Sequence, residues 1–241
     1  MTVDNLPVVM LSGLLCDSAL WRAQANALAS FAKPIVADLT HDDTLMGMAQ
    51  RVLSLAPERF ALVGLSMGGY VALEIMRQAP ERVVKLALFS TSARPDSVDR
   101  ARLRREAIEC LPSGRFIGVS KSLLPKLIHR SLLDGPVAEE VYSMAMRVGE
   151  AAFRRQQNAI MLRPDLRGVL ERINVPTLVG VGDSDLITPP EEAVFIRDGI
   201  SRAHLHVFRN CGHLPPLERP DQMSDLLRGW VAAEAKPLAL T

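Results

Sequence analysis

Cysteine is scarce in this chain. Three residues, Cys16, Cys110 and Cys211, lie far apart among 241, in no CxxC or Cys/His pattern. That argues against a disulfide framework and against a metal site, and a small odd number fits reduced thiols in a cytoplasmic protein. An excess of either charge is also missing: 28 Lys+Arg stand against 27 Asp+Glu, a net charge of +1. No global field therefore points to nucleic acid or to a membrane surface. Long apolar runs are absent too. The N-terminal run near residues 8–11 has no basic start and is broken by Ser12-Gly13. It is a poor signal peptide, and it falls far short of the roughly 20 residues that cross a bilayer. Internal repeats and low-complexity segments are lacking as well.

What is present is alternation. Short apolar, β-branched runs at 8–11, 35–38, 60–63, 86–89, 177–180 and 204–208 read as strands. Helical patterns at 19–31, 44–55, 69–78, 190–198 and 221–234 separate or follow them. Strands apolar on both faces and divided by helices predict a three-layer αβα fold around a mostly parallel sheet.

Residues 94–172 break this rhythm. They contain no convincing strand and read as amphipathic helices at 98–110, 121–130, 138–147 and 150–162, with Ser97 as N-cap of the first. The expected organisation is a core of residues 1–93 and 173–241 with a helical cap inserted over 94–172. Such a cap would lie over the C-terminal edge of the sheet, where open α/β sheets bind ligands. It carries 15 Lys+Arg against 10 Asp+Glu, whereas the rest carries 13 against 17. A basic cap on an acidic body would suit an anionic substrate or an acidic carrier protein.

The chemistry starts at 61-ALVGLSMGGYVALEIM-76. Gly64-Leu65-Ser66-Met67-Gly68 fits G-x-S-x-G between a strand and a helix, a turn so tight that small residues must flank the serine. A phosphate loop would need a Lys after its last Gly, and a dinucleotide loop would need G-x-G-x-x-G; neither is met. Ser66 is thus a candidate nucleophile, and a serine hydroxyl needs a base. His213, in 210-NCGHLPPLERP-220 after the last strand, holds the right place in the chain order Ser…Asp…His. His41, His129, His204 and His206 do not. The acid should follow the fifth strand, where 180-GVGDSDLITPP-190 offers Asp183 and Asp185. Spacing favours Asp185, leaving Asp183 as a turn residue. The backbone amides of Met67 and of Leu14, in the loop after the first strand, are the candidate oxyanion donors. Leu15, Met144 and Met146 are candidate pocket residues.

With these parts in order, the chain resembles the α/β-hydrolase superfamily over nearly its whole length. The residues that carry the likeness are LSGLLCDSALW, GLSMGGYVALEI, APERVVKLALFST, INVPTLVGVGDSDLITPP and NCGHLPPLERP. The resemblance implies a cofactor-free and metal-free serine hydrolase, with Ser66 as nucleophile, Asp185 as acid and His213 as base. Its expected substrate is a small acyl ester or thioester. The sequence departs from many members at Ser12-Gly13, where they carry His-Gly. On the same triad, C–C bond hydrolase, lactonase, perhydrolase and lyase activities are alternatives. A non-catalytic ligand-binding protein with this fold is a further one.

Overall fold

The computed structural model describes residues 5–109 and 116–233. Cys110 and residue 234, which end the helices expected over 98–110 and 221–234, lie outside the described residues. Six strands form one sheet: β1 (Leu6–Leu11), β2 (Ala32–Ala37), β3 (Phe60–Leu65), β4 (Val83–Phe89), β5 (Thr177–Gly182) and β6 (Ala203–Phe208). Their spatial order is β2-β1-β3-β4-β5-β6, and every neighbouring pair is parallel. Parallel strands need crossovers that cover both faces of the sheet, so the inner strands are buried on both sides. All six residues of β3 and all six of β5 are buried.

The helices are α1 (Arg22–Leu28), α2 (Leu45–Leu55), α3 (Met67–Gln78), α4 (Val98–Glu109), α5 (Leu124–Leu127), α6 (Pro136–Met161), α7 (Arg167–Leu170), α8 (Pro190–Gly199), α9 (Pro215–Glu218) and α10 (Pro220–Ala232). Two apolar cores result. One joins Val9, Leu62, Leu86 and Val179 to α2, α3 and α8 through Met48, Val71, Ile75 and Ile196. The other joins Val8, Met10, Val63 and Phe89 to α1 and α10 through Leu28, Met223, Leu227 and Val231. This is the three-layer αβα arrangement expected from the alternation.

Between β4 and β5 the described residues are helical and contain no strand. Ser97 caps α4 as expected, its Oγ accepting from the Arg100 amide at 3.2 Å. The helices expected at 138–147 and 150–162 are the two arms of α6, bent at Gly149, whose φ of 77° is not helical. The expected 121–130 helix shrinks to the single turn of α5. The expected 19–31 helix divides into a 3₁₀ turn, Ser18–Trp21, and α1. Asp17 accepts from the Ala19 amide at 2.9 Å and so fixes the start of that turn. From α6, Arg155 donates to the Thr40 carbonyl, Gln156 to the Leu39 carbonyl, and Arg147 pairs with Asp17. These contacts tie α6 to the loops that leave the C-terminal ends of β1 and β2.

Candidate active site

Ser66 stands where β3 ends and α3 begins. Its backbone has φ 54° and ψ −114°, a left-handed conformation that costs a non-glycine residue on the order of 1–3 kcal/mol. Neighbouring bonds hold it there. The Ser66 amide donates to the Phe89 carbonyl at 3.0 Å, and Thr91 Oγ1 donates to the Ser66 carbonyl at 2.8 Å. The flanking glycines are a steric requirement. A Cβ on Gly64 would meet the Gly68 carbonyl oxygen at 2.5 Å, and one on Gly68 would collide with the Leu11 carbonyl. The turn therefore presents the hydroxyl outward while leaving no room beside it.

His213 reaches this hydroxyl from the loop after β6. Its Nε2 lies 2.9 Å from Ser66 Oγ, and its Nδ1 lies 2.9 Å from Asp185 Oδ2 and 3.0 Å from Oδ1. A carboxylate on Nδ1 fixes the tautomer with Nδ1–H donating, which leaves Nε2 to accept from the serine. All three side chains are buried, Asp185 at 2 % and His213 at 3 % exposure. Asp185 is itself held. The Ile187 and Thr188 amides donate to its Oδ1 at 2.9 and 3.0 Å, and Thr188 Oγ1 donates to its Oδ2 at 3.0 Å. Burial pushes the Asp185 carboxyl up, but the His213 charge and hydrogen bond, with the two amides, outweigh it and hold the carboxyl below its ordinary value.

Asp183, two residues earlier, does not face the histidine. Its carboxylate accepts from the Asn210 amide at 3.0 Å and from the Cys211 amide at 3.1 Å. It therefore braces the loop that carries His213, a larger role than a turn residue. Of the other histidines, His41 pairs with Asp38, His129 bonds to Ser131 and His206 to Gln222, all away from the serine.

The loop after β1 closes the site from the opposite side. Ser12 Oγ donates to the Asp17 carbonyl and the Cys16 amide to the Gly13 carbonyl, both at 3.1 Å. Gly13 lies so close to the serine that a Cβ there would sit 3.4 Å from the Ser66 Cβ. The Leu14 amide has no acceptor among the described residues, whereas the next amide, of Leu15, donates to Gln156 Oε1 at 3.1 Å. Met67 opens α3, where the first amides of a helix lack intrahelical partners.

Gly13, Leu14, Ser66 and His213 border a cavity of about 430 Å³. Leu15 and Met144 line it. Met146 does not: it is 54 % exposed and outside the lining. Two residues along a helix turn a side chain about 200°, so Met144 and Met146 cannot share a face of α6. Cys16 also lines the cavity, but burial pushes its thiol up to about 12, so it is no competing nucleophile. Among the described residues no group of three His, Cys, Asp or Glu side chains is placed to hold a metal ion.

Three participants escape the sequence reading. Glu218 is buried and accepts from the His129, Gly212 and Leu214 amides at 2.7, 2.8 and 2.9 Å. Its presence in an apolar, proline-rich loop beside His213 was the available signal. Tyr70 and Gln157 line the cavity and are also buried; as isolated polar residues in helices they gave none.

A serine on a strand-to-helix turn, a histidine and an aspartate after later strands, and a parallel sheet behind them define an α/β fold with a serine-hydrolase-type site. The chain belongs to the alpha/beta hydrolase family, whose pattern it matches over residues 8–226. It is 28 % identical to a pimeloyl-[acyl-carrier protein] methyl ester esterase of Nitrosomonas europaea, over 92 % of this chain and 94 % of that one. To 3-oxoadipate enol-lactonase 1 of Acinetobacter baylyi it is 24 % identical, over 95 % and 90 % of the two chains. Among solved structures, a malate-bound thermophilic esterase from Thermogutta terrifontis superposes with a TM-score of 0.86 at 31 % identity, covering 96 % of this chain and 92 % of that one.

Proposed function

We propose that this protein hydrolyses carboxylic esters, with Ser66 as nucleophile, His213 as general base and acid, and Asp185 as the group that orients the imidazole. The observation that carries the reading is the unbroken chain of short contacts, 2.9 Å from Ser66 Oγ to His213 Nε2 and 2.9 Å from His213 Nδ1 to Asp185. Ser66 Oγ attacks the ester carbonyl carbon as His213 Nε2 takes its proton. The Leu14 and Met67 amides are the donors offered to the developing oxyanion, each worth about 3 kcal/mol of barrier. The intermediate collapses, and His213 returns the proton to the departing alcohol. Water then attacks the acyl-enzyme carbonyl, gives its proton to His213 Nε2, and the acid leaves as Ser66 recovers that proton.

The segment 94–172 acts as a cap on a core formed by residues 1–93 and 173–241. Support comes from the cavity lining, which draws on α4, α5 and α6 as well as on the sheet edge. Arg100 and Lys126 are exposed residues of this lining and make no ion pair among the described residues. They suit the approach of an anionic substrate or of an acidic acyl-carrier protein, the presentation named for the Nitrosomonas relative.

One experiment tests the site and its partner together. Wild type should hydrolyse short p-nitrophenyl and methyl esters and take a fluorophosphonate label at Ser66. Ser66→Ala should lose both, with hydrolysis down by about 10⁴-fold or more. Retained hydrolysis in that variant refutes the mechanism. The same acyl esters presented on acyl-carrier protein should show a KM below that of the free methyl esters; an equal or higher KM removes the carrier from this reading.

A further inference from the structure

The cavity is walled mainly by leucine, isoleucine, valine and methionine, yet one wall is polar and built. Tyr70 is 3 % and Gln157 6 % exposed, and both face the cavity. Gln157 Oε1 accepts from Arg104 Nη1 at 2.8 Å, which turns the amide so that its NH₂ is left over. Neither that NH₂ nor the Tyr70 hydroxyl has a hydrogen-bond partner among the described residues. Both atoms remain accessible rather than sealed in the core. Each side chain is largely buried yet offers one uncommitted donor to the cavity, where a ligand's acceptor can take the place of the water that otherwise solvates it.

The charge behind this wall has a sign. Arg104 Nε lies 2.7 Å from Asp96 Oδ2, and Arg163 Nη1 lies 2.8 Å from Asp96 Oδ1. The Arg163 guanidinium also stacks over the Tyr70 ring, 4.4 Å from its centroid. Two guanidinium groups thus share one carboxylate, and the surplus positive charge sits beside the two spare donors. Arg163 and Asp96 are buried while Arg104 keeps a fifth of its side chain exposed, so the surplus is screened in part but still favours an anion over a neutral group at the two donors.

We infer that Tyr70 and Gln157 form an acyl-side subsite for a carboxylate, so that the preferred substrates are half-esters of short dicarboxylic acids. This deepens the ester-hydrolase reading above and rests on it. The subsite is close to the reacting carbonyl: Tyr70 lies one helical turn beyond Ser66, its amide donating to the Ser66 carbonyl at 3.2 Å. Ser66, Tyr70 and Gln157 border the same cavity. An acyl chain of a few methylenes, attached at Ser66, would bring its far carboxylate to the spare donors.

The test compares kcat/KM for monomethyl succinate, glutarate and adipate with that for the methyl esters of monocarboxylic acids of matched length. Wild type should favour the best half-ester by at least tenfold. Gln157→Leu and Tyr70→Phe should each cut that preference by tenfold or more. The ratio is internal to each variant, so partial misfolding or a general packing defect lowers both rates and leaves it unmoved. A wild type without the preference, or variants that keep it, overturns the subsite. Methyl 4-oxopentanoate, a neutral oxo-ester, is the third arm. An equal preference for it, lost equally in both variants, overturns the carboxylate in favour of an uncharged acceptor. These outcomes are separable from failure of the parent reading, which is marked by Ser66→Ala hydrolysing the plain methyl esters.

Discussion

At Asp185 a carboxylate sits almost wholly out of water and still ionises readily, because four hydrogen-bond donors surround it: the imidazole, two amides and a threonine hydroxyl. Asp185→Asn would put an amide NH₂ or a carbonyl where a charged acceptor stands, and would release the imidazole from its tautomer. The expected loss in kcat is about 10³–10⁴-fold with KM changed far less, measured on a methyl ester. A loss under tenfold would mean that another group orients His213. The contrast with Asp183 shows what was readable in GDSD. Chain order and the need for a carboxylate beside the base admitted both aspartates, and spacing within the loop favoured Asp185. The partners of Asp183 are the Asn210 and Cys211 amides, and amides are common to nearly every residue, so no letter of the sequence announced that bond.

Between elements, the same rule decides what could be read. The strands were legible because crossovers on both faces leave them no exposed side, and their apolar runs record that. The two arms of α6 were legible as the amphipathic stretches 138–147 and 150–162, whereas their joining into one element bent at Gly149 was not. Helix ends were less legible: α1 starts late because Asp17 and the 3₁₀ turn take over its first residues, which is local hydrogen bonding rather than periodicity. The joint between the helical segment that follows β4 and the loop that carries His213 was not legible at all. It consists of backbone amides gathered by one side chain, Glu218, and of the His213 amide donating to the Leu127 carbonyl at 2.9 Å. Glu218→Ala would strand three buried or half-buried amides, at about 1–3 kcal/mol each where water cannot reach them. The expected result is a fall in Tm of several degrees together with a lower kcat, since the loop that aims His213 loses its brace. Differential scanning calorimetry and initial rates on one preparation check it; an unchanged Tm would show that water replaces the carboxylate.

Across the whole molecule, carboxylates do much of the joining, and that sets its response to acid. Asp17 ties the loop after β1 to Arg147 on α6 at 2.6 Å, and Asp183 ties the end of β5 to the loop after β6. In both, burial pushes the carboxyl up. Hydrogen bonding outweighs it, from Arg147 for Asp17 and from the Asn210 and Cys211 amides for Asp183, so both are held below the ordinary 3.8. Asp185 is shifted in the same direction. A group whose carboxyl is lowered on folding adds stability that is fully present above its unfolded value. That stability is lost as pH falls through the folded one. These three should therefore contribute in full above about pH 5 and progressively less below pH 3.8. The unfolding midpoint in urea should drop between pH 5 and pH 3 in wild type, and drop less in Asp17→Asn and Asp183→Asn, whose side chains cannot titrate. Both variants should already be less stable than wild type at pH 5, with the gap narrowing toward pH 3. Parallel curves for wild type and both variants would mean that the two joints hold equally well with their carboxyls protonated, and that acid acts on the fold elsewhere.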